Sequence, residues 1–300
     1  MFDLFGFGHC CADYLSLLKP YPAKGKKGDV VESLTIGGGP VPTACQMVAS
    51  LGKRVSFCGK VGNDTDGALV LDGLRESNVD STRMIIDPAV KTARASIWID
   101  PEDGARTVAL DTFRFQFPNE VEFDRDWVKE CRFFLVDGRA AEATVAALKE
   151  ARRLGVPTML DAGAVRPSMS LMIPLLDYTV VSSDFADTYA PGASAPELAN
   201  LLLGAGTGLA VVTVGERVAY WQSGNEGGFV EGFSVTDVID TTGAGDIFHG
   251  GLIYGILEGW DIRRSIRFAN AAAALSTRRL SGRLSIPERR EIDAMLKEVQ

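Results

Sequence analysis

The sequence predicts an α/β protein with a doubly wound, mostly parallel sheet and helices on both faces. Three observations carry this. Short apolar runs alternate with stretches of helical periodicity along most of the chain. Glycine clusters, Gly37-Gly38-Gly39 and Gly243-Ala244-Gly245, precede two of the helical stretches. Two segments of antiparallel character break the alternation and point to a small sheet outside the main core.

The elements follow in order. Phe2–Gly8 reads as a buried strand, Pro40–Leu51 as a helix and Val55–Gly59 as a strand. Asp66–Glu76 reads as a helix, with Leu69, Leu71 and Leu74 among its apolar positions. The strand Phe133–Val136, the helix Glu142–Leu154 and the strand Pro157–Asp161 come next. Asp177–Val181 and Leu209–Val214 continue the strands, and long helices follow from Ala244. Ser194 with Glu197 three residues on is a capping box for a helix over Glu197–Leu203. Val30–Ile36 and Thr92–Leu110 are the two interrupting segments, the second with a turn signal at Pro101-Glu102-Asp103-Gly104. Because they come from separate stretches, about 14–36 and 92–112, they predict a lid on a single domain spanning 1–300 rather than an independent unit.

Composition bounds the function. The 31 basic and 39 acidic residues give a net charge of −8. That is a poor balance for generic nucleic-acid binding, which needs basic surface. No apolar run approaches the roughly 20 residues that span a bilayer. The N-terminal stretch lacks a basic region and carries Asp3 within its apolar run, so the expected location is the cytoplasm. Five cysteines without a CxxC pair read as buried free thiols, and two histidines exclude a multi-histidine metal site.

The most informative stretch is Val238–Gly251, VIDTTGAGDIFHGG. Glycines at a strand-to-helix turn let backbone N–H groups approach a ligand closely. The helix start adds unpaired N–H groups and the positive end of the dipole. Together they form an anion hole suited to a phosphoryl group in transfer. Asp246 falls in the first helical turn beside that hole, where its carboxylate can take a proton from an attacking hydroxyl. By position alone it can equally be a cap. No GxxxxGK[ST] motif occurs, so the phosphate site is not a P-loop. Gly6-Phe7-Gly8 lacks the third glycine of a dinucleotide fingerprint, since residue 11 is Cys11.

The stretches GGGPVPTACQMVASLGKRVSFCGKVGNDTDG (37–67) and DTTGAGDIFHGGL (240–252) together resemble the two signatures of the PfkB family of carbohydrate kinases, which includes ribokinase. VTVGERVAYW (212–221) and RFANAAAALSTRRLSGRLSIP (267–287) are similar to that family's nucleotide loop and adenine-flanking segments. The resemblance covers essentially the whole chain. It implies a ribokinase-like fold and ATP- and Mg2+-dependent phosphorylation of a hydroxyl on a small sugar or sugar derivative. It implies Asp246 as base, Gly243, Ala244 and Gly245 as anion hole, and Asp13, Gly38 and Gly39 as sugar-binding positions. Thr213, Gly215, Ser183, Asn270 and Ala273 fall at nucleotide positions. Asp240, Thr242 and Ser285 fall where cation-activated members surround K+. The β-lid often mediates homodimers in the family.

The chain departs from the pattern in two places. Pro42 stands where many sugar-specific members carry a sugar-contacting Asn. Ser183-Asp184-Phe185-Ala186 stands at the family's NxxE segment, so the glutamate tied to Mg2+ is missing, and either Asp184 or Asp187 acts through water or other groups hold the metal. The GGGP signature and Arg139 after a strand are similar to sulfofructose kinase-like members. Arg139 reads either as a guanidinium for an anionic substrate group or as a surface ion pair. Lys27 has the same two readings, with the solvated loop lysine the plainer one. Arg166 reads as facing the phosphates or as packing. His249, at i+3 from Asp246, reads either as orienting the site or, more plainly, as a satisfied helix histidine. A nucleoside kinase with Trp98 and Phe113 near the base, and a non-catalytic sensor, are the alternatives.

Overall fold

The computed structural model describes residues 1–298. In chain order the strands and helices are β1 (Leu4–Phe7), β2 (Cys11–Lys19), β3 (Asp29–Gly38), α1 (Pro40–Ser50), β4 (Val55–Cys58), β5 (Lys60–Gly62), α2 (Thr65–Glu76), β6 (Val79–Asp80), β7 (Ile85–Asp87), β8 (Arg94–Ile99), β9 (Arg106–Asp111) and β10 (Phe134–Val136). Then come α3 (Ala141–Leu154), β11 (Thr158–Ala162), α4 (Met169–Met172), β12 (Tyr178–Ser182), α5 (Ser183–Tyr189), α6 (Ala195–Gly204), β13 (Leu209–Val214), β14 (Val218–Ser223), β15 (Glu226–Glu231), α7 (Ala244–Leu257), α8 (Ile262–Ser276) and α9 (Arg289–Glu298).

The main sheet has nine strands in the order β15-β14-β13-β12-β11-β10-β1-β4-β6. All pairs from β13 to β6 are parallel, and β14 and β15 add an antiparallel edge. Strands such as Leu4–Phe7 and Val55–Cys58 are buried along their whole length, because helices cover both faces and no alternation is needed. One core layer packs α3 and α6 against the sheet through Ala147, Leu148, Leu198 and Leu202. The other packs α1, α2 and α7 through Val41, Val48, Val70, Leu74, Leu252 and Ile253. From β1 the chain first builds outward to β4 and β6, then returns to the other side of β1 for β10 to β13. The crevice at that reversal, at the carboxyl ends of the strands, is where such a sheet takes its ligands.

A second sheet of four strands, β3-β2-β8-β9, stands apart from the first. It contains both segments read from the sequence, and the turn at Pro101–Gly104 joins β8 to β9. It also reaches back to Cys11. Strand β2 escaped the sequence reading because a bulge between Leu17 and Leu18 breaks its period of two. Pairing register gives the sheet two distinct faces. Asp13 and Leu15 lie beside Ala95 and Ile97 on one face. Tyr14 and Ser16 lie beside Ser96 and Trp98 on the other. The first face packs into a cluster with Ala95, Ile97, Ile99 and Phe115.

Helix α6 starts at Ala195 with both halves of the Ser194–Glu197 capping box formed, the Ser194 N–H donating to Glu197 Oε2 at 2.8 Å. The edge strand β15 was not legible, since EGGFVE carries little apolar pattern. No helix among the described residues is long and apolar enough to cross a membrane.

Candidate active site

Asp246 lies in the first turn of α7, whose cap is Gly243. Gly243 has φ +78°, and a Cβ there would come 2.6 Å from the Gly282 Cα, so both conformation and space require glycine. Gly245 faces open space with nothing within 4 Å of a built Cβ. The Ala244 N–H reaches back to the Thr241 carbonyl at 3.4 Å, while the N–H groups of Gly243 and Gly245 have no acceptor among the described residues and can meet a ligand.

Asp246 is one of a pair. Its carboxyl is pushed up to about 7, first by removal from water and then by the charge of Asp161. Asp161, next to last in β11, is likewise raised to about 7, by burial first and Asp137 second. The Asp161 Oδ2 is buried without a hydrogen-bond partner. It lies 3.5 Å from the His249 Nδ1, which is itself 2.7 Å from the Gly245 carbonyl oxygen. A carbonyl can only accept, so Nδ1 carries the hydrogen. Burial holds the His249 ring neutral by lowering its pKa. The i to i−4 bond occupies Nδ1, but Nε2 is buried without a hydrogen-bond partner, so the ring is only half satisfied.

Across the crevice stands Asp13 on β2, close enough for its charge to contribute to the rise at Asp246. The Cys11 thiol donates to Asp13 Oδ1 at 3.1 Å. Burial raises Asp13 to about 6, against the pull of Arg283. Gly38 is the residue opposite: a Cβ there would fall 1.9 Å from Asp13 Oδ2. Gly39, at φ 110° and ψ 149°, caps α1, and its Cβ would meet the His9 carbonyl oxygen at 2.4 Å. Behind them the buried Arg283 donates Nη2 to the Gly38 carbonyl at 2.9 Å, while its Nε and Nη1 have no partner. Asp13, Gly38, Gly39 and Asp246 thus come together around one cleft.

Other predicted residues fall as follows. Arg139 follows β10, partly covered, with no side-chain partner. Lys27 is exposed at the far tip of the β2–β3 hairpin. It lies beyond Lys19, itself six residues and about 20 Å along the strand from Asp13. The structure does not bring it to the cleft. Thr213 and Gly215 lie where β13 turns into β14, Gly215 with φ +56° and open space around it. Ser183 opens α5 at the end of β12. Asn270 spends its amide on the Glu231 carbonyl at 3.0 Å, and Ala273 follows one turn later on α8. Asp184 and Asp187 are exposed on α5, and Ala186 is buried. Trp98 is on the face opposite Asp13, and Phe113 is 92% exposed, so neither forms an aromatic wall for a base.

Asp240, Thr242 and Ser285 also come together. The Asp240 oxygens accept from Thr242 N at 2.7 Å and Ser281 N at 2.8 Å, tying this turn to the 281–285 loop. Ser285 Oγ donates to Gly282 O, and Thr242 Oγ1 is buried without a partner. The small sheet is tied to the same turn. Thr241 donates its N–H and Oγ1 to the Gly104 carbonyl, and Arg106 Nη1 reaches Thr241 O at 3.2 Å.

His9, Asp137, Asp161 and Arg283 were missed from sequence. For Asp137 and Asp161 a signal existed: both stand at the carboxyl end of a strand in a parallel sheet, where ligands bind. Arg283 gave none, because its partners lie more than two hundred residues away.

Comparison with known proteins agrees with this geometry. The chain is 26% identical to 5-dehydro-2-deoxygluconokinase of Shouchella clausii, over 99% of this chain and 96% of the relative. It is 29% identical to fructokinase-2 of Zea mays, over 80% and 79%. The ribokinase of Giardia lamblia superposes with a TM-score of 0.86 at 19% identity, covering 99% of this chain and 100% of that one, a likeness of fold. The model of the pfkB family carbohydrate kinases matches residues 7–289, nearly the whole chain, and the chain belongs to that family.

Proposed function

We propose that the chain transfers the terminal phosphoryl group of ATP to a hydroxyl of a small sugar or sugar derivative, with Asp246 as the base. The observation that carries this is the placement of Asp246 beside the open Gly243–Gly245 turn, with Asp13, Gly38 and Gly39 facing it. Asp13 and the Gly38 and Gly39 backbone hold the acceptor. Asp246, ionised, takes the hydroxyl proton onto its carboxylate as the oxygen attacks phosphorus. The N–H groups of residues 243–245 receive the charge of the transferring group. The nucleotide then runs toward Ser183, Thr213 and Gly215 and on toward Asn270 and Ala273.

The donors at the cleft floor are oxygens, which suits Mg2+ carried mainly by nucleotide phosphates and water. The unpartnered Asp161 Oδ2 is the protein oxygen that fits such an ion, in place of the missing glutamate. Mg2+ would supply charge neutralisation at the phosphates. Among the described residues no group of three or more His, Cys, Asp or Glu is placed to hold a metal, so the protein alone makes no closed cage. Thr242 Oγ1 supports a role for K+ beside Asp240 and Ser285. The small sheet acts as a lid, and its exposed Val30, Val31, Trp98, Val108 and Leu110 support a homodimer formed through it. Acidic charge and the absence of a membrane-length helix among the described residues support a cytoplasmic location.

The test is ATP consumption against sugars, sugar acids and nucleosides, with Asp246→Asn beside the wild type. Turnover lost in the variant supports the reading. Equal binding by both proteins without turnover would make the chain a sensor.

A further inference from the structure

Arg283 sits behind the acceptor side of the cleft and is 8% exposed. Its Nη2 donates to the Gly38 carbonyl at 2.9 Å. Nε and Nη1 are buried and have no hydrogen-bond partner. The head is wedged between β3 and α2. A Cβ on Gly37 would come 2.7 Å from Nη1, and one on Gly73 would come 3.4 Å from it. Cys10, Cys11 and Cys45 lie within reach of its charge, yet burial raises all three thiols and keeps them protonated. A guanidinium so placed costs free energy that neutral thiols and one carbonyl do not offset.

The carboxylate that most favours the Arg283 charge is Asp13. No hydrogen bond joins the two. Asp13 accepts from the Cys11 thiol, and the Gly38 peptide lies between, bonded to Arg283 on one side and pressed on Asp13 Oδ2 on the other. Burial raises Asp13 to about 6, while the Cys11 bond and the Arg283 charge both favour its ionised form. The other elements around β2 supply no substitute cation. Strands β3 and β8 set Ile36 and Ala95 beside Asp13. On α2, Asp66 is engaged by Tyr14 Oη at 2.6 Å and by Arg94 Nε, on the face of β2 away from Asp13. From α7, Asp246 brings only negative charge.

We infer that Arg283 is a positioning residue for the phosphoryl acceptor: it fixes the Gly38 carbonyl and, from behind that peptide, supplies the positive charge that faces the Asp13 carboxylate. The inference rests on the kinase reading, in which Asp13 and the Gly38 and Gly39 backbone hold the acceptor. An ionised Asp13 offers two oxygens that both accept from hydroxyls, whereas protonation turns one of them into a donor. The loop that carries Arg283 also reaches the phosphate turn. Gly282 packs against Gly243, and the Ser281 N–H donates to Asp240 Oδ2 at 2.8 Å. The side chain thus leaves toward the acceptor while its backbone neighbours touch the donor side. An effect on acceptor KM with ATP unaffected separates the one from the other.

Two readouts test this, one of them without substrate. Arg283→Gln removes the charge and keeps an amide donor; Arg283→Met removes both. In ligand-free protein labelled at aspartate carboxyls, 13C NMR follows Asp13, identified by its absence from Asp13→Asn. Both variants should raise its midpoint by about one unit, as loss of a nearby opposite charge does. The second readout is ADP release with ATP and Mg2+ on D-fructose, D-ribose, D-gluconate and D-fructose 6-phosphate. Ionised Asp13 holds the acceptor, so binding strengthens as pH rises through its midpoint. A midpoint moved from about 6 to about 7 cuts the ionised fraction about fivefold at pH 6 and scarcely at pH 9. Relative to wild type, the acceptor KM of each variant should therefore be about fivefold worse at pH 6 than at pH 9. The KM for ATP should change less than about threefold. Arg283→Met should add a rise in acceptor KM that is the same at every pH, from the lost bond to Gly38.

An Asp13 midpoint unmoved or lowered in Arg283→Gln overturns the inference and leaves the kinase reading standing. So does a rise in KM for ATP in place of the acceptor, which would assign Arg283 to the donor side. Loss of folded protein in both variants, read by circular dichroism, also overturns it, because the arginine would then hold the fold and not the acceptor. If no probe turns over in an Asp246-dependent way while the Asp13 midpoint moves as stated, the kinase reading fails and the pairing of Arg283 with Asp13 stands.

Discussion

Replacing Asp161 with Asn should move the working pH of the base. In the wild type Asp246 is raised from 3.8 to about 7, a rise of about three units, with burial the larger cause and the Asp161 charge the next. Asn keeps the size and the burial; it removes the charge, and with it the oxygen proposed for Mg2+, so the shift is read in metal-free protein and kinetics are compared only to each protein's own plateau. That charge is the second cause of the rise, so the apparent value should fall, by about one unit. The direction follows from the chemistry. A base works ionised, so kcat/KM should rise with pH through the apparent value of the pair and then level off. At pH 6 a base titrating near 7 is about one-tenth ionised, and one titrating near 6 is about half ionised. Relative to its own plateau, Asp161→Asn should therefore be about fivefold more active at pH 6. The assay is kcat/KM from pH 5 to 9 for both proteins, with aspartate carboxyls followed by 13C NMR in protein free of metal and nucleotide. A midpoint unmoved, or moved upward, in the NMR titration would refute the coupling of the two carboxylates.

Gly39→Ala should cost stability, since the backbone there is glycine-only territory and the new Cβ would meet a carbonyl oxygen at 2.4 Å. A loss of about 1–3 kcal/mol in chemical denaturation is expected, with acceptor binding weakened as α1 shifts. Ser194→Ala removes the capping box of α6, far from the cleft, and should cost about 1 kcal/mol with kcat and KM unchanged. Exchange of K+ for Na+ should lower activity, and Thr242→Val, which removes the orphaned hydroxyl, should abolish the difference. Sedimentation should show a dimer that Trp98→Asp converts to monomer without changing the fold by circular dichroism.

Legibility from sequence tracked the range of the causes. The start of α7 was readable because glycines, cap and apolar helix are contiguous. The capping box at Ser194 was readable for the same reason. The buried strands were readable as runs, although the pattern could not say which neighbours they take. What a linear reading loses is convergence. Arg283 and Gly38 are 245 residues apart, and only the folded chain sets the guanidinium against that carbonyl. Lys27 shows the opposite error. It belongs to the hairpin that carries Asp13, yet the length of β2 takes it to the distal tip. Trp98 was decidable in principle. In Ala95-Ser96-Ile97-Trp98-Ile99 the apolar alternation already assigns Trp98 to the face away from Ala95 and Ile97.

The bonds joining Gly104 and Arg106 to Thr241 make the tip of the small sheet and the peptide entering the phosphate turn one unit. Segment 232–243, which leads into Gly243–Gly245, is irregular rather than the strand end read from the sequence, and a tilt of the small sheet would pull on it. Under the proposed function, the two ligands would read each other through this shared lever. Linkage makes the exchange symmetrical: whatever factor the acceptor adds to nucleotide affinity, the nucleotide must return to the acceptor. Under the proposed phosphoryl transfer, such a lever would act as a coincidence gate, withholding the donor's energy until both reactants are seated.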